Sequence, residues 1–456
     1  MYTSVKHIHF VGIGGIGMSG IAEILLSQGF TVSGSDVARS ETTDALTGLG
    51  AVIMIGHRAE NVKGADVVVY SSAVRPSENV ETVAAHAARI PVIRRAEMLA
   101  DVARLKYCLA VSGTHGKTTT TSMCGLVLMA GGLDPTVIVG GRLRGLGGSN
   151  ARLGQGQWTV LEADEYDRSF LQLSPTIAIV TNVEAEHLDI YKDYEDVRQT
   201  FLQFLGRLPF YGLIVACADD PGVQSLLPHM NKPVITYGTD ASADVRAVDC
   251  VFEGRTSSFT VLHKGQVMGP VVLDIPGMHN VRNALAAIAV AIRLGIDMNV
   301  ITATLREFHG VLRRFEILGE KGDVMVVQDY AHHHTEVRAT LESARAGWER
   351  RIVAVFQPHT YTRTRDFATE FGAAFDAADM VFVTDVYAAR ENPVPGVSGE
   401  TIVDAIRKHG HPDVRYVPSV GDIPDVVGTR RRKDDMVLLL GAGDIYTAAS
   451  GIMDRR

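Results

Sequence analysis

Residues 111–121 read VSGTHGKTTTT, a set of residue types and spacings that suits phosphate chemistry. Gly113 and Gly116 bend the chain between an apolar, strand-like run (107–111) and a helix-like segment bearing Met123, Leu126 and Val127. A glycine-rich turn in that place exposes backbone N–H groups, and the helix start adds positive potential, so a polyphosphate is the expected ligand. Lys117 brings a charge to the β- and γ-phosphates, and the Thr118 hydroxyl can ligate Mg²⁺. The usual G-x-x-x-x-G-K-[ST] is not met, because Val111 stands where its first glycine would, but the shorter G-T-H-G-K-T has the same parts. An ordinary glycine turn is the alternative, and the flanking strand and helix weigh against it. Lys117 lies outside any apolar periodicity, so it is expected to serve chemistry and to contribute little to folding.

Metal ligands are expected where other strands end. The run 158–161 is followed by Glu162-Ala163-Asp164-Glu165, and the run 177–181 by Asn182-Val183-Glu184-Ala185-Glu186-His187. Glu162 supplies an oxygen suited to Mg²⁺, and His187 could hold a second metal near the γ-phosphate. Asp164 and Glu186 read rather as caps or surface charges. In His279-Asn280-Val281-Arg282-Asn283, two amides three residues apart share a helix face and could address an adenine edge; a helix cap at Asn280 is an equal reading. Arg313 and Arg314 could reach phosphate oxygens or form a surface pair. His332, His333 and His334 are consecutive, so they point to opposite faces and make a poor chelate; a turn or a substrate contact is expected. His359 and Arg363, four apart, would share a face if the helix begins by His359, and a guanidinium suits an amino-acid carboxylate.

A second glycine motif lies near the N-terminus. A buried-strand pattern at 8–11 leads into Gly12, Gly14, Gly15 and Gly17, then a helix pattern through Ile21, Ile24 and Leu25, with Asp36 closing a second strand at 31–35. Read alone, it suggests a dinucleotide fold, yet the spacing serves any diphosphate. Beside a separate ATP loop it points away from a simple dehydrogenase.

The elements that must position these groups are α/β throughout. The prior for 456 residues is about three domains. Residues 1–105 read as a small Rossmann-like unit, with further strands at 67–70 and 92–93. Residues 106–312 read as a mainly parallel P-loop-type sheet with strands at 158–161, 177–181 and 213–216, a helix at 194–205 and an antiparallel hairpin excursion over 244–275. Residues 313–456 read as a second Rossmann-like domain with strands at 324–327, 352–356, 380–384 and 436–440. Its strand ends, QDYAHHH, QPHTYTRT, TDVYAARE and GAGDI, imply a substrate-facing edge. The formal charge of −8 argues against nucleic-acid binding, and the basic run 430–433 is answered at once by Asp434 and Asp435. Cys108, Cys124, Cys217 and Cys250 are scattered, without disulfide or zinc spacing. No leader pattern and no apolar stretch of ~18 residues occurs, so a cytoplasmic protein without membrane insertion is expected, a monomer or weak homodimer.

The motifs VGIGGIGMSGIAEIL, SGSD, SSAV, GTHGKTTT, EADE, TNVEAEHLD, HNVRNALAA, GVLRRFE, DYAHHHTEV, FQPHTYTRTRDF and GAGDI, in this order along nearly the whole chain, resemble those of the Mur ligases. The long glycine motif, DYAHH and QPH-x-Y-x-R-T resemble the branch that adds L-alanine. The resemblance implies that the first domain holds UDP-N-acetylmuramate through Gly12, Gly14, Gly15, Gly17, Asp36 and Ser72. It implies an ATP site of Gly113, Thr114, His115, Gly116, Lys117, Thr118 and Thr119, joined by Asn280, Asn283, Arg314 and Asp329. Thr118, Glu162 and His187 would hold Mg²⁺ or Mn²⁺. His332, His333, His359 and Arg363 would hold L-alanine in a third domain that closes over the others, with Lys117, His187, Arg314 and His359 acting in catalysis. Gln328, His334 and Thr360 depart from the branch's usual acidic residue, proline and arginine. Leu202 stands where several relatives in the family carry a carbamylated lysine, so that device is not expected. A ligase for murein tripeptide shares these motifs and is the alternative. Folylpolyglutamate synthetase lacks the UDP-binding first domain, and a non-enzymatic nucleotide-binding regulator would not need Glu162, His187 and the third domain together.

Overall fold

The first glycine loop is positioned by short β-branched runs buried on both faces, the pattern of a covered parallel sheet. The computed structural model describes residues 5–71, 73–104, 106–141, 149–188, 190–321, 324–389 and 391–454. β1 (His7–Val11), β2 (Thr31–Asp36), β3 (Val52–Ile55), β4 (Val67–Tyr70) and β5 (Val92–Arg94) pair in parallel in the order β3-β2-β1-β4-β5. The glycine loop leaves β1 at the point where strand order reverses, the usual ligand edge of such a sheet.

The second sheet has ten strands in the order β15-β14-β13-β12-β11-β10-β6-β9-β7-β8. They are β6 (Tyr107–Ser112), β7 (Thr136–Ile138), β8 (Ala151–Arg152), β9 (Trp158–Glu162), β10 (Ile177–Val180), β11 (Leu213–Cys217), β12 (Val234–Gly238), β13 (Val245–Glu253), β14 (Thr256–His263) and β15 (Gln266–Leu273). From β7 to β12 the pairing is parallel, with β8 antiparallel on β7. The hairpin excursion is present as β13 to β15, turning at Gly254 (φ 54°) and Gly265 (φ 80°). The third sheet comprises β16 (Glu316–Lys321), β17 (Val324–Asp329), β18 (Arg351–Phe356), β19 (Met380–Val383), β20 (Val414–Tyr416) and β21 (Asp435–Leu440), in the order β16-β17-β21-β18-β19-β20. It is parallel except for β16.

Two compact units result, one of residues 1–247, 261–269 and 282–305, the other of 248–260, 270–281 and 306–456. In the first, the segments expected as separate domains share one apolar core, from Ile8 and Phe10 through Cys108 and Leu161 to Leu226. Leu202 packs against that core. The helix Ile16–Ser27 is seated beside β8, where the Asn150 amide donates to the Ile16 carbonyl and the Ser149 hydroxyl to Glu23 (2.8 Å). The second unit has its own core around Val326, Val355, Phe382 and Leu439. Among the described residues no helix is long and apolar enough to cross a membrane.

A buried polar knot fixes the ligand edge of the first sheet. Glu81 is fully buried and accepts from the Ser35 hydroxyl (2.5 Å), the Asn61 amide and the His57 ring (3.2 Å), with His9 Nε2 at 3.8 Å. The Ser35 carbonyl in turn accepts from Gly12 N (2.8 Å) and Ile13 N (3.0 Å), so the knot sets the glycine loop. Burial pushes the Glu81 carboxyl up, but His9, Ser35 and Asn61 outweigh it and hold it at about 2. A depressed carboxyl stabilises the fold above its unfolded value of 4.5, and that contribution is lost as pH falls from there towards 2. Glu81→Gln should therefore remove up to ~3 kcal/mol of acid sensitivity from the denaturant stability measured between about pH 5 and 2. An unchanged acid slope would refute this account.

Candidate active site

The phosphate loop leaves β6 and runs into the helix Lys117–Ala130. Gly113 (φ 136°) and Gly116 (φ 80°) adopt backbone conformations open to glycine. A Cβ on Gly113 would strike Thr181, and one on Gly116 would lie 2.7 Å from Asn283 Oδ1. The segment after β10 braces the loop. Asn182 Oδ1 accepts from His115 N (2.7 Å), Thr181 Oγ1 donates to the His115 carbonyl (2.6 Å), and Glu184 N donates to Thr114 Oγ1 (2.9 Å). Thr119 is buried within the first turn of the helix. Asn283 joins the loop by accepting from Thr120 Oγ1 (3.1 Å). Asn280 is no helix cap: the helix starts at Met278, and the Asn280 amide donates to the Pro276 carbonyl (2.7 Å).

Lys117 is less free than its sequence position implies. Its Nζ donates to both Glu165 oxygens (2.7 and 2.9 Å) and to the Gly113 carbonyl (2.7 Å), with Thr114 O at 3.2 Å. Glu165 is 2% exposed and Lys117 15%. Burial alone would lower the lysine and raise the carboxyl; their mutual attraction reverses both directions. The expectation that Lys117 contributes little to folding is thus corrected, because it is the counter-ion of a buried carboxylate. His187 (φ 55°) lies 3.6 Å from Glu165 Oε1 with its ring against Tyr166. Burial pushes its imidazole down, and the Glu165 and Glu186 carboxylates carry it above its usual value.

Glu162 and Thr118 lie near one another at the loop. The Glu162 carboxylate accepts from Gly140 N (2.5 Å), and burial raises its carboxyl although Gly140 N, the Lys117 ammonium and the Thr118 hydroxyl work against that rise. A hydroxyl and a carboxylate oxygen at a phosphate loop fit a hard divalent cation. Of the three expected ligands, Thr118 and Glu162 are near one another, while His187 stands beside Glu165.

In the first glycine loop, Gly12 has φ 81°, and Asp36 Oδ2 accepts from Gly14 N (2.8 Å). Asp36 therefore braces the loop itself. Gly15 precedes the helix as its N-cap, and Ser72 lies outside the described residues. A Cβ on Gly17 would lie 3.1 Å from Arg95 Nη1. Arg95 and Arg94 line a cavity of about 190 Å³ with Tyr70, Asp164, Tyr166 and Arg168. Neither arginine was singled out in the sequence; their signal was an Arg-Arg pair at the carboxyl end of β5.

The second unit gathers cations and rings at its strand ends. Arg314 donates to Glu336 (3.2 Å) and, like Arg313, lies over the Tyr330 ring. Asp329 has one oxygen on Phe315 N and the other on Ala331 N (2.7 Å each), and burial lifts its carboxyl to about 6. Asp329 thus anchors the turn bearing Arg314, and each of its oxygens keeps a further acceptor site. His333 is the N-cap of the helix His334–Gly347. His332 stays partly open, its ring 5.5 Å from that of His359. The helix expected to begin by His359 begins instead at Tyr361, because Thr360 has φ 65°. Arg363 nevertheless donates to His359 Nδ1 (3.2 Å), and His359 stacks on Tyr387.

Comparison with known proteins finds three family models in succession along the chain. Residues 7–107 match the Mur ligase family catalytic domain, 111–291 the Mur ligase middle domain and 313–443 the Mur ligase glutamate ligase domain. The chain is 50% identical over 455 residues to a UDP-N-acetylmuramate–L-alanine ligase of Geotalea uraniireducens, covering 100% of this chain and 99% of the relative. It is 51% identical over 454 residues to the protein of that name from Sorangium cellulosum, covering 99% and 96%. Among solved structures, the UDP-N-acetylmuramate–alanine ligase of Thermotoga maritima is similar at 33% identity and TM-score 0.82, with 99% of each chain covered. A murein peptide ligase of Psychrobacter arcticus is similar at 25% identity and TM-score 0.71, with 99% and 98% covered.

Truncating Lys117 leaves Glu165 buried and unpaired. Lys117→Ala should cost about 3 kcal/mol or more and lower the melting midpoint by several degrees. Adding Glu165→Gln should restore most of that loss. Equal midpoints for the wild type and Lys117→Ala would show that the pair contributes nothing to stability.

Proposed function

The chain belongs to the Mur ligase family, and we propose that it joins L-alanine to the carboxylate of UDP-N-acetylmuramate in a reaction driven by ATP. The observation that carries this reading is identity of 50–51% along essentially the whole chain to relatives that bear that name. Two separate phosphate-type loops support it, one followed by Lys117 and Thr118, the other beside the cavity lined by Arg94 and Arg95. A hydride-transfer enzyme would have no use for the first, and a simple ATPase none for the second.

A carboxylate and an amine do not condense in water without activation. The muramoyl carboxylate attacks the γ-phosphorus, the bond to the bridging oxygen breaks, and ADP leaves an acyl phosphate. Lys117 offsets the charge that develops on the transferred group, and loop amides orient the β- and γ-phosphates. Thr118 and Glu162, with His187 nearby, would hold Mg²⁺ or Mn²⁺, which when bound neutralises phosphate charge. The alanine amine then attacks the acyl carbon, and the tetrahedral intermediate collapses with loss of phosphate. In the second unit, Arg363 and His359 are assigned to the amino-acid carboxylate, and Arg313 and Arg314 to anionic groups on that edge. The reading assigns three domains, at 1–105, 106–312 and 313–456, and a cytoplasmic reaction.

The test is phosphate release from ATP with UDP-N-acetylmuramate across a panel of amino acids and the murein tripeptide. L-Alanine should give the highest kcat/KM; preference for the tripeptide would transfer the chain to the alternative activity. Arg363→Lys should raise the KM for L-alanine about tenfold, the scale of one bidentate, charge-assisted contact, and change the KM for ATP much less. A shift in the ATP term alone would move Arg363 to the phosphate site.

A further inference from the structure

Glu165 is placed in no role by the chemistry above, yet it touches the two residues on which that chemistry leans. Its carboxylate lies between Lys117 Nζ (2.7 and 2.9 Å) and His187 Nε2 (3.6 Å). It is fixed from behind, because the Tyr191 hydroxyl donates to the Glu165 carbonyl (2.6 Å) inside the core. A lysine ammonium has three protons and no more. At Lys117 they are taken by the Gly113 carbonyl, the Thr114 carbonyl and Glu165. A phosphate oxygen can therefore enter only if one acceptor withdraws. The two carbonyls belong to the loop backbone, which Asn182, Thr181 and Glu184 hold in place. Glu165 is the side chain among these acceptors, and an anion of the same sign as the phosphate.

Resting on the reading of this loop as a nucleotide site, we propose that Glu165 is a positioning residue that stands in for phosphate. It holds Lys117 at the loop and surrenders it to the β- and γ-phosphates of the incoming nucleotide. Nucleotide affinity is then an exchange: the Lys117–phosphate contact forms as the Lys117–Glu165 contact is given up. The exchange makes the site discriminate by chain length. A nucleotide too short to reach Lys117 leaves the Glu165 contact untouched, whereas ATP must displace it. Weakening the contact should tighten ATP and leave AMP alone, the opposite of what loss of a merely structural residue would do.

The experiment measures dissociation constants of ATP and AMP on the full chain with Mg²⁺, with melting midpoints alongside. Glu165→Gln removes the charge at constant shape; Glu165→Asp keeps the charge but withdraws it from Lys117. ATP should bind about tenfold tighter to E165Q and about threefold tighter to E165D, the scale of one charge-assisted bond lost in full or in part. AMP should stay within about twofold in both. E165D carries the test alone should E165Q fail to fold. ATP affinity unchanged or weakened in the folded variants overturns the proposal, as does tightening in E165Q with none in E165D, which would mark a general field effect. Wild-type protein that binds no ATP overturns the nucleotide reading as well.

Discussion

A parallel ladder cannot be closed by a two-residue turn, so each strand must be followed by a crossover along a face of the sheet. In β1, β6, β9 and β10, and again in β17, β18, β19 and β21, this leaves all the carboxyl ends on one edge of each sheet. Backbone that has just left a ladder has N–H groups in need of partners. The chain answers in two ways. Where the groups are to face a phosphate, glycine keeps the approach open, as at Gly12, Gly113 and Gly116. Where they must be fixed, polar side chains from a neighbouring strand end take them up: Asp36 on Gly14, Asn182 on His115, Asp329 on Phe315 and Ala331. Much of the bracing is thus supplied by one strand end to the next.

The same edge creates an electrostatic problem. Lys117 opens the helix Lys117–Ala130, and the start of a helix is its positive end, which disfavours a cation. Phosphate would offset both charges at once. Within the protein, Glu165 does so, and the cost of burying its carboxylate is offset by bonds from Lys117 and by the His187 ring 3.6 Å away. The buried Glu81 is a parallel case in the first sheet, where Ser35, Asn61 and His57 rather than a lysine satisfy the carboxylate. One carboxylate sets a backbone loop and the other a side chain, so only the second is open to exchange with a ligand.

What the sequence made legible was local. Glycine loops between an apolar strand and an amphipathic helix are written in consecutive residues, and so were both phosphate-type sites and the decorated ends QDYAHHH and QPHTYTRT. Most of the strands missed were short or at edges, although β12 (Val234–Gly238) is an interior strand of five residues. β3 has the burial pattern exposed–intermediate–intermediate–exposed, β20 has three residues, and β16 is the antiparallel edge strand of its sheet. None shows the period on which recognition depends. The site residues missed were non-local: Glu165 meets Lys117 across 48 positions and Asn182 meets His115 across 67. Asp164 and Glu165 stand side by side with the same chemistry, and only the path of the chain after β9 decides which one turns inward. Thr360 defeated the helix register for a related reason: its positive φ delays the start to Tyr361, and no propensity foretells a threonine there.

That threonine belongs to a pattern. Among the described residues, twelve other than glycine have positive φ; Asp167, Arg168, His187 and Thr360 follow strands β9, β10 and β18, and Arg313 and Phe315 lead into β16. Each such conformation costs of order 1 kcal/mol or more, and it persists only where the surroundings over-determine it. Here the restraints can be named. Arg168 is tied to Asp196 (2.6 Å) and Thr200 (2.8 Å) and lies over the Tyr191 ring; Phe315 N is held by Asp329 (2.7 Å); Thr360 N donates to the Tyr387 carbonyl (2.9 Å). His187 is gripped through its carbonyl, which accepts from Ile190 N (2.8 Å) and Tyr191 N (2.9 Å). Tyr191 thus recurs as a support, below Arg168, behind Glu165 and against His187. One buried tyrosine, through its phenol and its backbone N–H, couples the strained turn after β9 to the one after β10, so Glu165 and His187 are set from the same point in the core. Precision at a strand end is, on this view, bought from the layer beneath it: the glycines leave room for a ligand, and the strained side chains are aimed into that room by contacts made one shell further in.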